Sequence, residues 1–275
     1  MREIELPTET IKPNDPKLAK LLLFGESGVG KSPIAAQLPN SLVLSFDPSG
    51  MKFVEACYVQ IKEFDDLRVI QEAIRKHRKE ERTKLAADPT YIGKDKYKFI
   101  VVDTITYLVD LCVTEAENMY SRSPMGKYWF VGKDAEPSGK QQYGSILSLA
   151  DGAGYAWLRQ AVESALDIIE TMAANVVILA HTRTNRESDQ VDSKNIDLPG
   201  KLVDIVCRRM EAVGHLARIA DDRVTATFQV GKKLSSKSKI DRLEGNVFVI
   251  SQKKDGKIVT YWDEIFDILK PEVKA

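Results

Sequence analysis

The sequence predicts an α/β protein with a mostly parallel central sheet flanked by helices and a small β-rich C-terminal portion. Three observations predict it. Residues 25–32 read Gly-Glu-Ser-Gly-Val-Gly-Lys-Ser, a complete G-x-x-x-x-G-K-[ST] phosphate-binding loop. The apolar run Leu21 to Phe24 precedes it and Ile34 to Leu38 follows, the strand–loop–helix setting that the motif requires. Downstream, short apolar runs alternate with helix-length amphipathic stretches, as in parallel strands joined by crossover helices.

A polar arm over residues 1–17, with Pro7, Pro13 and Pro16, precedes the first strand near Lys20–Phe24. In the loop that follows, Gly25, Gly28 and Gly30 allow tight backbone turns. The N–H groups around Glu26, Ser27 and Val29 can then point at one phosphate chain. Lys31 is expected to reach the β- and γ-phosphates of ATP and the Ser32 hydroxyl to ligate Mg²⁺. Pro33 falls in the first helical turn, where no backbone donor is lost.

Ser41–Phe46 predicts a second strand and Ala56–Ile61 a third. Asp65 to about Lys84 predicts a charged helix. Glu80 and Glu81 interrupt its basic run, which favours a solvated face over a nucleic-acid site. Lys98–Asp103 is the clearest buried strand; helical sequence follows over Tyr107–Tyr120, and 121–144 is loop-like. Tyr155–Ala173 predicts an amphipathic helix, Val176–Ala180 a buried strand, and Arg183–Lys201 a polar loop. Ala212–Ile219 and Arg223–Val230 predict neighbouring strands. Lys253–Lys257 predicts the turn of a hairpin between Asn246–Ser251 and Ile258–Trp262, before a short terminal helix. The expected division is an arm over 1–17, a nucleotide-binding core over 18–245 and a C-terminal hairpin and helix over 246–275.

Composition narrows the function classes. Forty Lys and Arg balance forty Asp and Glu, so no global field draws the protein to a polyanion and any such site is a local patch. Cys57, Cys112 and Cys207 lie far apart in mostly apolar stretches without metal spacing, and are expected to be reduced core residues. No apolar run reaches transmembrane length and the first residues do not resemble a signal peptide, so a cytoplasmic protein without membrane contact is expected.

Two further residues carry chemistry. Asp103, ending the strand Phe99-Ile100-Val101-Val102 about seventy residues after the loop, is placed to hold Mg²⁺ beside the phosphates. His181 follows the strand Val176–Ala180, where a polar side chain can report the γ-phosphate, with Thr182 as its neighbour.

In order, GESGVGKS, FIVVDTITYL, QQYG at 141–144, NVVILAHT at 175–182 and DLPGKL at 197–202 resemble the phage-encoded RecA-like P-loop ATPases, which include single-strand annealing recombinases. The resemblance runs from about residue 18 to 245. It implies an ATPase with Lys31, Asp103 and His181 in catalysis, and Ser32 and Asp103 at the metal. It also implies a DNA-contacting loop after His181 that includes Arg183 and Arg186. Lys237, Lys239 and Arg242 fall where such proteins place cations that reach a neighbouring subunit's nucleotide, as arginine fingers do. Family members commonly carry a Glu two residues after the Asp that ends the second strand, to polarise the attacking water. Here Ser49 holds that position, leaving Asp47 or Glu55 as substitutes and slow turnover as an expectation.

Residues 119–143 interleave rings and cations, and Lys127 and Lys133 are the candidate contacts to single-stranded DNA; Trp129 and Phe130 fit a packing role as well. The expected function is therefore an ATPase assembled as a ring or filament on single-stranded DNA, promoting annealing or recombination in the host cytoplasm. A single-strand binding protein is a further expected partner. A loader of a replication protein, or a nucleotide-gated scaffold with little hydrolysis, are the alternatives.

Overall fold

The computed structural model describes residues 17–48, 50–88, 90–126, 145–187, 190–219, 222–229 and 236–271. The predicted α/β architecture is found. Strands β1 (Lys20–Gly25), β2 (Ser41–Ser45), β3 (Tyr58–Gln60), β4 (Phe99–Asp103), β5 (Asn175–Glu187) and β7 (Ala212–Ile219) lie parallel in the order β3-β2-β4-β5-β1-β7. Antiparallel β8 (Arg223–Thr227), β10 (Val247–Lys254) and β11 (Lys257–Thr260) extend the β7 edge. β1, β2 and β4 are buried along nearly their whole length, which explains their unbroken apolar runs: a parallel strand covered on both faces has no polar side to alternate with.

Alternate residues of these strands feed two cores. On one face Leu22, Phe24, Ile100, Val102 and Ile178 pack against α2 (Phe64–Ala87), α3 (Ile105–Ser121), α4 (Ala153–Glu170) and α5 (Leu202–Arg209). α2 starts with a capping box, in which the Asp66 carboxylate accepts from the Lys62 and Glu63 N–H groups. Its basic stretch is mostly solvated, as expected, although Arg78 donates to the Thr171 and Met172 carbonyls at the end of α4.

On the other face Leu21, Leu23, Val101, Val177 and Leu179 meet a much shorter cover. α1 (Lys31–Ala35) is only five residues long. The C-terminal segment completes this face: Trp262, Ile265 and Phe266 are buried, Phe266 stacks edge-on against Phe99, and the Trp262 indole N–H donates to the Ile34 carbonyl at 3.0 Å. That bond adds a side-chain donor to a carbonyl in the last turn of α1 that also accepts from the Gln37 N–H at 3.3 Å. Two 3₁₀ turns, Trp262–Glu264 and Asp267–Leu269, stand where a terminal helix was expected.

Two other expectations are corrected. Cys112 and Cys207 are buried, but Cys57 is exposed in the connection before β3. Arg183–Ile196 is not an irregular loop: β5 runs on past the sheet and pairs with antiparallel β6 (Gln190–Ile196) as a hairpin, Thr182 opposite Ile196 and Thr184 opposite Lys194. Among the described residues no helix is long and apolar enough to cross a membrane.

Candidate functional site

The C-terminal ends of the parallel strands bring the expected residues together. Gly25 ends β1 level with His181 on one side and Leu216 on the other, and Asp103 ends β4 level with Leu179 and Ser45. The loop between β1 and α1 holds its turns with positive φ at Gly28 (77°) and Gly30 (104°), values that only glycine adopts freely.

Lys31 is buried, and its ammonium donates to the carbonyls of Gly25 (2.8 Å) and Glu26 (2.9 Å), folding back along the loop. Its Nζ also lies 3.4 Å from His181 Nδ1. A protonated amine has no lone pair, so in that contact Nδ1 is the acceptor and the proton sits on Nε2. Burial, reinforced by the Lys31 charge, lowers the His181 pKa, with Asp197 and Asp47 opposing, which keeps the ring neutral and able to accept. The Asp103 carboxylate accepts from the Ser32 hydroxyl. Burial pushes its pKa up, with Ser32 and Lys31 opposing and Asp47 adding to the rise. The Asp103–Thr104 peptide is cis.

These residues fit a magnesium nucleotide. Ser32 and Asp103 offer a hydroxyl and a carboxylate, the hard oxygen donors that Mg²⁺ takes alongside substrate phosphates, and no larger protein cage is needed. Among the described residues no cluster of three metal-ligating side chains exists elsewhere to compete. The hydroxyls of Thr104 and Thr182, adjacent in sequence to Asp103 and His181, are buried and lack a hydrogen-bond partner among the described residues. Buried polar groups seldom stay unpaired, so the site has donors and acceptors in reserve. Bound Mg²⁺ would neutralise phosphate charge; Lys31 would bind and orient the phosphates.

Burial lowers the Lys31 pKa to about 8, with Asp103 partly opposing. An unfolded chain keeps that proton up to the ordinary value of 10.5, so between about pH 8 and 10.5 the unfolded state binds more protons. The burial penalty on this group is therefore present below pH 8 and is relieved as pH rises through the window. Phosphate oxygens favour the ammonium, so nucleotide binding at pH 9 should take up protons. Calorimetry in buffers of different ionisation enthalpy checks this; a binding heat independent of buffer would contradict it.

The other predicted residues lie elsewhere. Glu55 is exposed, and Asp47 is the acid whose charge reaches both Asp103 and His181. Ser49 lies outside the described residues, as do Lys127, Lys133, Trp129 and Phe130. Arg183 is exposed on the hairpin, and Arg186 stands opposite Val191 in its ladder. Lys237 starts β9 (Lys237–Ser238), which pairs with the beginning of β7, so 237–239 sit at the opposite end of the strands from the phosphate loop. Lys239 makes one long bond, 3.4 Å to the Arg208 carbonyl. Arg242 is fully engaged: it pairs with Asp267 at 2.8 Å and donates to the Glu264 and Ile265 carbonyls. Neither cation reaches the phosphate loop of its own chain.

Sequence reasoning missed two neighbours of the loop. Arg218, near the end of β7, points its guanidinium at the carbonyls of Gly28 (3.3 Å) and Val29 (3.5 Å). Lys194 on β6 pairs with Glu26 at 2.8 Å. With His215 they wall a cleft of about 320 Å³ on the outer side of the loop. Only the strand order, with β1 between β5 and β7, brings them there, and no local sequence signal marks it.

A family model described as an AAA domain matches residues 17–242. No curated protein gives a significant match to the chain.

Proposed function

The chain belongs to the AAA domain family, P-loop NTPases of the AAA/RecA kind, and on that premise we propose a Mg²⁺-dependent ATPase whose nucleotide state governs its assembly on single-stranded DNA. The observation that carries the nucleotide half is the convergence of Lys31, Ser32, Asp103 and His181 at one end of the sheet. His181 serves as the γ-phosphate sensor, because its neutral ring already touches the ammonium that phosphate would draw away. Asp47 is the acid we assign to the attacking water in place of the glutamate that Ser49 replaces.

The DNA half is supported by connectivity. The strand that carries His181 continues directly into the hairpin bearing Arg183 and Arg186, so a DNA contact there is one strand away from the phosphates. Lys127 and Lys133 would complete the track with their neighbouring rings. We assign a ring or filament of identical subunits, since the cations at 237–242 can approach a phosphate only on a neighbouring copy. Lys239 suits that role better than Arg242, whose guanidinium is already committed. Annealing or recombination of the phage type, aided by a single-strand binding protein, is the process proposed.

ATP hydrolysis with and without single-stranded DNA, with Lys31→Ala as the blank, tests this. Turnover that rises with DNA is expected. ATP-dependent DNA binding without turnover would favour a nucleotide-gated scaffold, the reading that Ser49 and the exposed Glu55 support. If DNA changes neither binding nor turnover, the recombinase assignment fails and a loader acting on a protein partner replaces it.

A further inference from the structure

The hairpin meets the phosphate loop at two roots, one from each strand. On β5, His181 lies against the Lys31 ammonium at 3.4 Å. On β6, the Lys194 ammonium pairs with the Glu26 carboxylate at 2.8 Å. Glu26 joins the two, because its backbone carbonyl holds Lys31 at 2.9 Å while its side chain holds Lys194. Thr184 stands opposite Lys194 and Thr182 opposite Ile196, so both roots belong to the same short stretch of ladder. The Asp197 N–H, donating to the His181 carbonyl at 2.9 Å, closes the base of the hairpin.

We propose that Lys194 is a positioning residue for the phosphate loop, which through Glu26 makes the set of the hairpin depend on whether nucleotide is bound. Physically, ATP competes with the Glu26 carbonyl for Lys31: a phosphate oxygen carries more negative charge than a carbonyl and makes the stronger charge-assisted bond. Once Lys31 turns to the phosphates, the Glu26 carbonyl loses its charged donor and keeps the Val29 N–H at 3.3 Å, so the set of residue 26 within the loop changes. The side chain of Glu26 carries that movement to Lys194, and the β5–β6 ladder carries it along the hairpin. His181 alone would report only on one strand. The second root on β6 makes the hairpin respond as a unit. Lys194 pairs with Glu26 and not with Lys31, Ser32 or Asp103, so its effect is indirect and its size is limited by the pair's partial exposure. At 31% and 61% side-chain exposure, such a pair contributes about a two- to fivefold change in an equilibrium.

This inference rests on ATP binding at the phosphate loop, and the test keeps the two apart. Hydrogen exchange of the amides in 182–196 is followed with and without a non-hydrolysable ATP analogue, while analogue affinity is titrated on the same samples. Wild type, Lys194→Met, Lys194→Arg and the charge exchange Glu26→Lys with Lys194→Glu are compared. Expected is a nucleotide-dependent change in hairpin exchange in wild type, lost in Lys194→Met and retained in Lys194→Arg. Analogue affinity should shift about two- to fivefold in Lys194→Met, and the exchanged pair should recover part of the coupling. Wild type that binds the analogue, with hairpin exchange responding equally in wild type and Lys194→Met, overturns the inference and leaves the nucleotide site standing. Wild type that fails to bind the analogue overturns both.

Discussion

Lys31→Ala should lower ATP affinity by at least about a hundredfold while leaving the protein folded. The ammonium makes two bonds inside the loop and is expected to transfer them to phosphate oxygens. Hydrogen bonds to charged groups contribute about 1.5–3 kcal/mol each, and two of them correspond to roughly 10²–10⁴ in affinity. Stability should move little. The substitution takes a donor from two carbonyls, of which that of Glu26 keeps the Val29 N–H at 3.3 Å, and it also removes an ammonium that burial disfavours, as its pKa of about 8 records. Titration with a fluorescent ATP analogue, alongside thermal melting, separates the two effects. An affinity within threefold of wild type would remove the phosphate loop from the binding site.

The largest effect on stability is expected at Trp262, far from the motif in sequence. Trp262 is 3% exposed, packs near Phe266 and caps the Ile34 carbonyl. Trp262→Ala should cost about 3–5 kcal/mol, the range for removing a buried aromatic side chain. For a chain of this size, that is roughly 6–20 °C in melting temperature. Trp262→Phe keeps most of the packing and loses the indole N–H; the Ile34 carbonyl keeps the Gln37 N–H at 3.3 Å, so the change should cost about 0.5–1.5 kcal/mol, the net worth of one hydrogen bond. Denaturant and thermal unfolding check both values. A Trp262→Ala protein that melts within a degree or two of wild type would show that the C-terminal segment is not part of the core.

What the sequence revealed, and what it hid, follow one physical division. The phosphate loop is legible because its chemistry is local: eight consecutive residues make the turns, the amine and the hydroxyl. β4 and the first half of β5 are legible because strands buried on both faces read as unbroken apolar runs. Asp103 and His181 could be named because each ends such a run. The hairpin was hidden because rungs such as Arg183 with Asn195 and Thr184 with Lys194 are polar on both strands, with no apolar alternation to betray a strand. Cys57 looked like core for the opposite reason, an apolar neighbourhood in sequence that faces solvent in space. Arg218 and Lys194 were invisible because strand order, not spacing, sets them beside the loop. Arg242 shows the limit of placing a cation by resemblance alone: its partners Asp267, Glu264 and Ile265 lie more than twenty residues on.

The bond from Trp262 to Ile34 spans 228 residues, and that separation orders events during synthesis. The GESGVGKS segment leaves the ribosome more than two hundred residues before the cover over its helix is translated. Until then that face of the sheet lacks Trp262, Ile265 and Phe266, and α1, at five residues, is too short to hold itself. A nascent chain therefore displays the nucleotide signature long before it can use it. Contacts this distant also slow folding, because the loop they close must be ordered before they reward it. An interrupted translation product would carry the signature without the segment that covers its helix.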